Sequence, residues 1–153
     1  AYINGFLAAA GVGNVVTNQA CVAGAVGGCQ AEVGTAAAMA AACAVAMMGG
    51  TTEEVVTAMT LCMKNVLGLV CDPVAGLVEV PCVKRNGIYA VHALAAAEMA
   101  MAGLRSRIPA DEVIGAMDSI GRALPEALRE TSEGGLARTK TGMDITNRLA
   151  HQK

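Results

Sequence analysis

The sequence predicts an all-α fold, and three observations carry that expectation. Hydrophobic residues make up 54% of the chain, aromatic residues only 2%, and Trp is absent, so the core must be filled by Ala, Val, Leu and Met. Small side chains let helices approach closely, and they leave a β-sandwich short of the aromatic and β-branched residues it packs with. Residues Ala36 to Met48 run without a single polar side chain, and a helix apolar on every face is either a membrane span or a central core helix. That uninterrupted run is shorter than the roughly 20 residues a bilayer requires. Glycine and proline breakers then divide the rest into segments of helical length. The expectation is one compact domain over residues 1–153, with about six helices around the Ala/Met-rich central one.

Taken in order, Tyr2 to Gly11 reads as a short apolar helix ended by Gly11 and Gly13. Asn14 to Gly28, broken by Asn, Thr and Gly, reads as a loop or short helical piece. The central helix follows from Cys29 to Met48 and is stopped by Gly49 and Gly50. Thr51 with Glu54 three residues on is a capping-box pattern for the next helix, whose Val55, Val56, Met59, Met63, Val66 and Leu67 recur at helical spacing. Nine Met residues at such spacing are core filler in preference to an adaptable binding surface. A further helix is expected from about Val83 to Met101, closed by Gly103, and another from Pro109 with Asp111 and Glu112 in its first turn. A short helix from Pro125 ends at Gly134 and Gly135, and the polar tail from Lys140 is expected to fray. The chain opens at Ala1 without an initiator Met, which reads as a fragment of a longer polypeptide.

Composition narrows the function classes. A formal charge of −2 offers no basic face for phosphate backbones, so nucleic acid is not an expected partner. A membrane is not expected either. No signal-peptide pattern precedes the apolar residues, and a core this apolar has no need of disulfides, so six cysteines suit a reducing cytoplasm.

Three of those cysteines lie at element boundaries marked by Gly or Pro. Cys29 follows Gly27-Gly28 and opens the central helix, whose partly positive end would face a bound anionic group. Cys71 and Cys82 flank the segment Asp72-Pro73-Val74-Ala75-Gly76. The spacing C-x41-C-x10-C contains no close Cys pair of the kind common in structural zinc sites. It admits a metal or iron-sulfur site, where thiolates are the ligands, and equally three buried thiols acting as small hydrophobes. Lys84, Arg85 and Asn86 fall in the first turn of the following helix, where cations oppose the helix dipole. They are either solvated or placed for an anion, and Arg85 with its planar fork is then the better carboxylate partner. His92, alone on that helix, is not assigned as a base.

The words around these residues carry a resemblance over nearly the whole chain. Gly28-Cys29-Gln30-Ala31-Glu32-Val33-Gly34, the stretch Leu67 to Cys82, Lys84-Arg85-Asn86, and Arg129-Glu130-Thr131 with Gly134-Gly135-Leu136-Ala137 resemble the α-subunit or α-domain of iron-sulfur-dependent L-serine dehydratases. The resemblance implies that Cys29, Cys71 and Cys82 hold a [4Fe-4S] cluster with one iron open to substrate. Arg85 and Asn86 become candidates for binding L-serine, and pyridoxal phosphate is not expected. It also implies a β-subunit or β-domain as partner in an oligomer, with the general base outside these residues. Cys21, Cys43 and Cys62 match nothing in the pattern and are read as core. A related lyase acting on L-cysteine and a non-catalytic helical module remain open alternatives.

Overall fold

The computed structural model describes residues 1–152. Seven α-helices make up the fold: α1 Tyr2–Gln19, α2 Gly24–Gly27, α3 Cys29–Met47, α4 Thr52–Lys64, α5 Cys82–Met101, α6 Ala110–Ala123 and α7 Lys140–Ala150. Three single turns of 3-10 helix, Val74–Gly76, Glu126–Leu128 and Gly135–Arg138, punctuate the connections. Among the described residues no strand forms, and the β-type pairing amounts to an isolated bridge between Cys71 and Arg129.

The expected central helix is α3. It packs on α1, α4 and α5 and touches α6, and Ala38, Ala41, Ala42 and Val45 have no exposed surface. By length and composition it is apolar enough to cross a bilayer, yet its faces are occupied by other helices of the same chain. The core continues through Ala58, Cys62 and Met63 of α4, Ala97 and Ala100 of α5, and Ile114 and Met117 of α6. Alanine on facing helices is what lets them approach this closely. At the start of α4 the capping box forms as read from the sequence. Thr51 Oγ1 accepts the Glu54 N–H at 3.3 Å, and Glu54 Oε2 accepts the Thr51 N–H at 2.7 Å.

Three expectations are corrected. Gly11 and Gly13 do not end α1, which runs on to Gln19. A helical glycine costs only about 1 kcal/mol against Ala, and burial of Val12 and Val16 against the core offsets it. Gly13 also faces the Met39 side chain of α3 at a distance a Cβ would crowd. No full helix follows Pro125. After the turn Glu126–Leu128, the Leu128 carbonyl and the Glu130 N–H pair with the backbone of Cys71 at 2.9 and 2.7 Å, which diverts the groups a helix would use. The tail forms α7, because Thr139 caps it by accepting the Gly142 N–H at 3.1 Å and it packs over the turns Val74–Gly76 and Gly135–Arg138.

Two outcomes test this core. Ala41, with 0% exposure on α3, leaves no room for three further carbons, so Ala41→Leu should lower unfolding free energy by about 1–3 kcal/mol in a denaturant melt. Burial also pushes the Cys62 thiol from its ordinary value of 9.0 up to about 12. Its neutral form is thus favoured by folding. That contribution is intact below pH 9 and is lost as pH rises toward 12, with a slope of at most about 1.4 kcal/mol per pH unit. The stability difference between wild type and Cys62→Ala should shrink over that window and stay flat below it.

Candidate functional site

Two of the boundary cysteines are each followed by a buried polar residue, and those two residues assemble the site. Gly28, with φ of 76°, sits in the left-handed region that suits glycine and turns the chain from α2 into α3. Behind it the Gln30 side chain, fully buried, donates from Nε2 to the carbonyls of Met117 at 2.8 Å and Gly27 at 3.0 Å. Its Oε1 accepts the Gly68 N–H at 2.9 Å, while its own backbone N–H donates to the Leu69 carbonyl at 2.9 Å. One amide thereby fastens Cys29 to α6 and to the strand-like approach to Cys71.

Asp72 does the same on the other side. Its side chain is 4% exposed, and Oδ1 lies 2.9 Å from Arg85 Nη1. Oδ2 accepts the Leu136 N–H at 2.8 Å. Gly135 makes that approach possible: its φ is 57°, and a Cβ there would collide with the Asp72 carboxylate. The neighbouring Ser132 hydroxyl donates to the Pro73 carbonyl at 2.6 Å and accepts the Gly76 N–H at 3.0 Å. Glu130, with φ of 67°, is held in that strained conformation by its bond to Cys71. The segment 128–136 is therefore stitched along the first half of the cysteine loop, from Cys71 to Gly76.

The result is a cavity of about 210 Å³ whose wall includes Cys29, Cys71, Cys82, Glu32, Asn86 and Glu130. Cys29 and Cys71 are 2% and 3% exposed, and Cys82 is the first residue of α5. Burial raises the Cys71 thiol well above its ordinary value, with the neighbouring Cys29 and the Glu130 carboxylate adding to it. Cys82 is raised as well, chiefly by burial and then by Cys29, with Arg85 pulling the other way. Among the described residues no three His, Cys, Asp or Glu side chains close on a single-ion site. The thiols instead stand around a space with room for a group of several atoms. A larger cavity of about 390 Å³ between α1, α4 and α6 is lined almost wholly by aliphatic residues, with Asp111 its one charge, and offers no comparable chemistry.

The other cysteines lie elsewhere. Cys62 is in the core, Cys43 faces Met47 at 3.6 Å on α3, and Cys21 accepts the Ala23 N–H at 3.3 Å in the turn before α2. All six are free thiols. Of the candidate substrate contacts, Asn86 lines the cavity, whereas Arg85 is not among its lining residues. Lys84 donates to the Glu79 carbonyl at 3.2 Å, and His92, whose Nε2 donates to the Cys62 carbonyl at 2.9 Å, is not among the lining residues. Sequence reasoning did not assign roles to Gln30, Asp72, Glu32, Glu130 or Ser132. The available signal was position: Gln30 and Asp72 are polar residues directly after boundary cysteines, the latter before a proline.

Comparison with known proteins places the chain in a family. The family model described as serine dehydratase alpha chain matches residues 1–137, which includes every residue of the cavity wall. The chain is 60% identical over 145 residues to the probable L-serine dehydratase alpha chain of Bacillus subtilis, covering 94% of this chain and 48% of that one. It is 59% identical over 152 residues to the corresponding probable alpha chain of Latilactobacillus sakei, covering 99% and 73%. With the L-serine dehydratase alpha chain of Peptoniphilus asaccharolyticus it shares 54% identity over 142 residues, 93% of this chain and 49% of the other. The chain thus spans about half the length of two of these relatives and about three quarters of the third. It belongs to the serine dehydratase alpha chain family.

Proposed function

We propose that the chain is the cluster-holding part of an L-serine dehydratase, which deaminates L-serine to pyruvate and ammonia without pyridoxal phosphate. The observation that carries this reading is selective convergence: of six cysteines, Cys29 and Cys82 at the starts of α3 and α5 and Cys71 in a loop, far apart in sequence, line one cavity, and the other three do not. Three thiols around about 210 Å³ fit a [4Fe-4S] cluster better than a zinc ion, which needs four close ligands. When bound, such a cluster supplies an iron without a protein ligand as Lewis acid toward the substrate hydroxyl.

The chain's own residues then divide the remaining work. Cys29, Cys71 and Cys82 give up their protons to become ligands, and burial of Cys29 and Cys71 keeps water from the sulfurs. The Asn86 amide, on the first turn of α5 and at the cavity wall, can donate to the substrate carboxylate. Glu32 and Glu130 place negative charge at the same wall, which suits the substrate ammonium. With His92 absent from the cavity wall, the α-proton is left for a base on the β-subunit or β-domain. The outer face of α5 supports such a partner. Val83, Ile88, Val91 and Leu94 are 56 to 68% exposed, and Val83 also lines the cavity, so this apolar face runs up to the rim.

Anaerobic reconstitution tests the reading. The wild-type chain should take up iron and sulfide in equal amounts and show broad brown absorption. Cys29→Ala, Cys71→Ala and Cys82→Ala should each lose it, while Cys21→Ala, Cys43→Ala and Cys62→Ala keep it. Pyruvate formation from L-serine should be poor with the chain alone and should rise when the β-subunit is added. Stoichiometric zinc, or equal loss from both groups of cysteines, would overturn the assignment, and turnover of L-cysteine in place of L-serine would redirect the substrate.

A further inference from the structure

The sequence suggests Arg85 as a carboxylate fork, but its surroundings give it another task. Its Nη1 is 2.9 Å from the Val70 carbonyl and 3.9 Å from Cys29 Sγ, and it makes a hydrogen bond to each. Asp72 Oδ1 is also 2.9 Å away, as the paired carboxylate. Nη1 is therefore shared among the Val70 carbonyl, the sulfur and the paired carboxylate, which holds the guanidinium by its charge. Arg85 approaches Cys29 from behind the cavity wall, since Asn86 lines the cavity and Arg85 does not. An incoming carboxylate cannot use Nη1 in a bidentate fork without breaking this arrangement.

We infer that Arg85 is a positioning residue for the cysteine sulfur: aimed by Asp72 and Val70, it donates to the Cys29 thiolate and tunes the bound cluster, instead of binding the substrate carboxylate. The inference rests on the cluster reading above. A cation donating to a ligand sulfur stabilises the more negative, reduced state, because hydrogen bonds to sulfur and net charge set cluster potential. Asp72 opposes it by charge while aiding it by geometry. Exchanging the two members of the pair for neutral residues should therefore shift the potential in opposite directions, which a purely structural role would not do.

The test uses the enzyme assembled from the α chain and its β-subunit, with circular dichroism to confirm folding of each variant. Arg85→Met should lose iron to a chelator about 10- to 100-fold faster than wild type and show a lower midpoint potential. KM for L-serine in its loaded fraction should stay within about twofold of wild type. Asp72→Asn should raise the potential, and Arg85→Lys, which keeps the charge but not the planar aim, should fall between wild type and Arg85→Met. Wild-type potential and iron retention in Arg85→Met, combined with a rise of about tenfold or more in KM, would overturn the inference and return Arg85 to the substrate. If Arg85→Met fails to fold, the order of the Arg85→Lys and Asp72→Asn potentials decides. Wild type that takes up no iron and sulfide would instead defeat the cluster reading, and this inference with it.

Discussion

The buried Asp72 carboxylate is the constraint on which the site depends. It joins three segments at one point: the cysteine loop that carries it, the first turn of α5 through Arg85, and the turn after Gly134 through the Leu136 N–H. A carboxylate with 4% exposure is costly to desolvate, and the structure compensates with a cation at 2.9 Å and a backbone donor at 2.8 Å. Removing either partner would leave a buried charge uncompensated, a loss of about 3–5 kcal/mol in comparable cases. The pair therefore adds little net stability while it fixes one arrangement. What that arrangement fixes is the position of Cys71 and Cys82 relative to Cys29.

Gln30 provides the matching constraint on the helical side. An amide can satisfy two acceptors and one donor at once, and Gln30 meets Met117, Gly27 and Gly68 in that way. The consequence is that α6, which contributes nothing to the cavity wall, still determines where the first turn of α3 stands. Cys29 thus rests on the packed core and Cys71 on a loop held by side chains. The cavity lies where the two systems meet, between a rigid helix start and a loop that needs the segment 128–136 to keep its shape.

Much of the fold was legible because its signals were local. The α3 core helix followed from an unbroken apolar run, and the start of α4 from the Thr51 and Glu54 pattern. The glycines of α1 misled because their cost is small beside the burial of Val12 and Val16 in partners the sequence does not reveal. Pro125 misled for the opposite reason, since backbone groups that would have closed a helix were claimed by Cys71, in a loop far upstream. At the site, the three cysteines stood out by their Gly and Pro surroundings. The roles of Gln30 and Asp72 did not, because a side-chain hydrogen bond across 64 or 87 residues leaves no periodic trace.

The cavities themselves show why residue type must be weighed before size. The space between α1, α4 and α6, at about 390 Å³, is nearly twice that beside the cysteines, but its walls are aliphatic and can only exclude water. The smaller one combines three thiols, two carboxylates and an amide within about 210 Å³, in surroundings that already press Cys71 and Cys82 toward their neutral forms. Such thiols resist ionisation until a cationic group binds the sulfurs, and their protons then leave to solvent. Holding Cys71 and Cys82 toward their neutral forms beside Cys29 spares the cavity the repulsion of several thiolates at one wall. The cost of charging them falls only when the ligand that repays it is present.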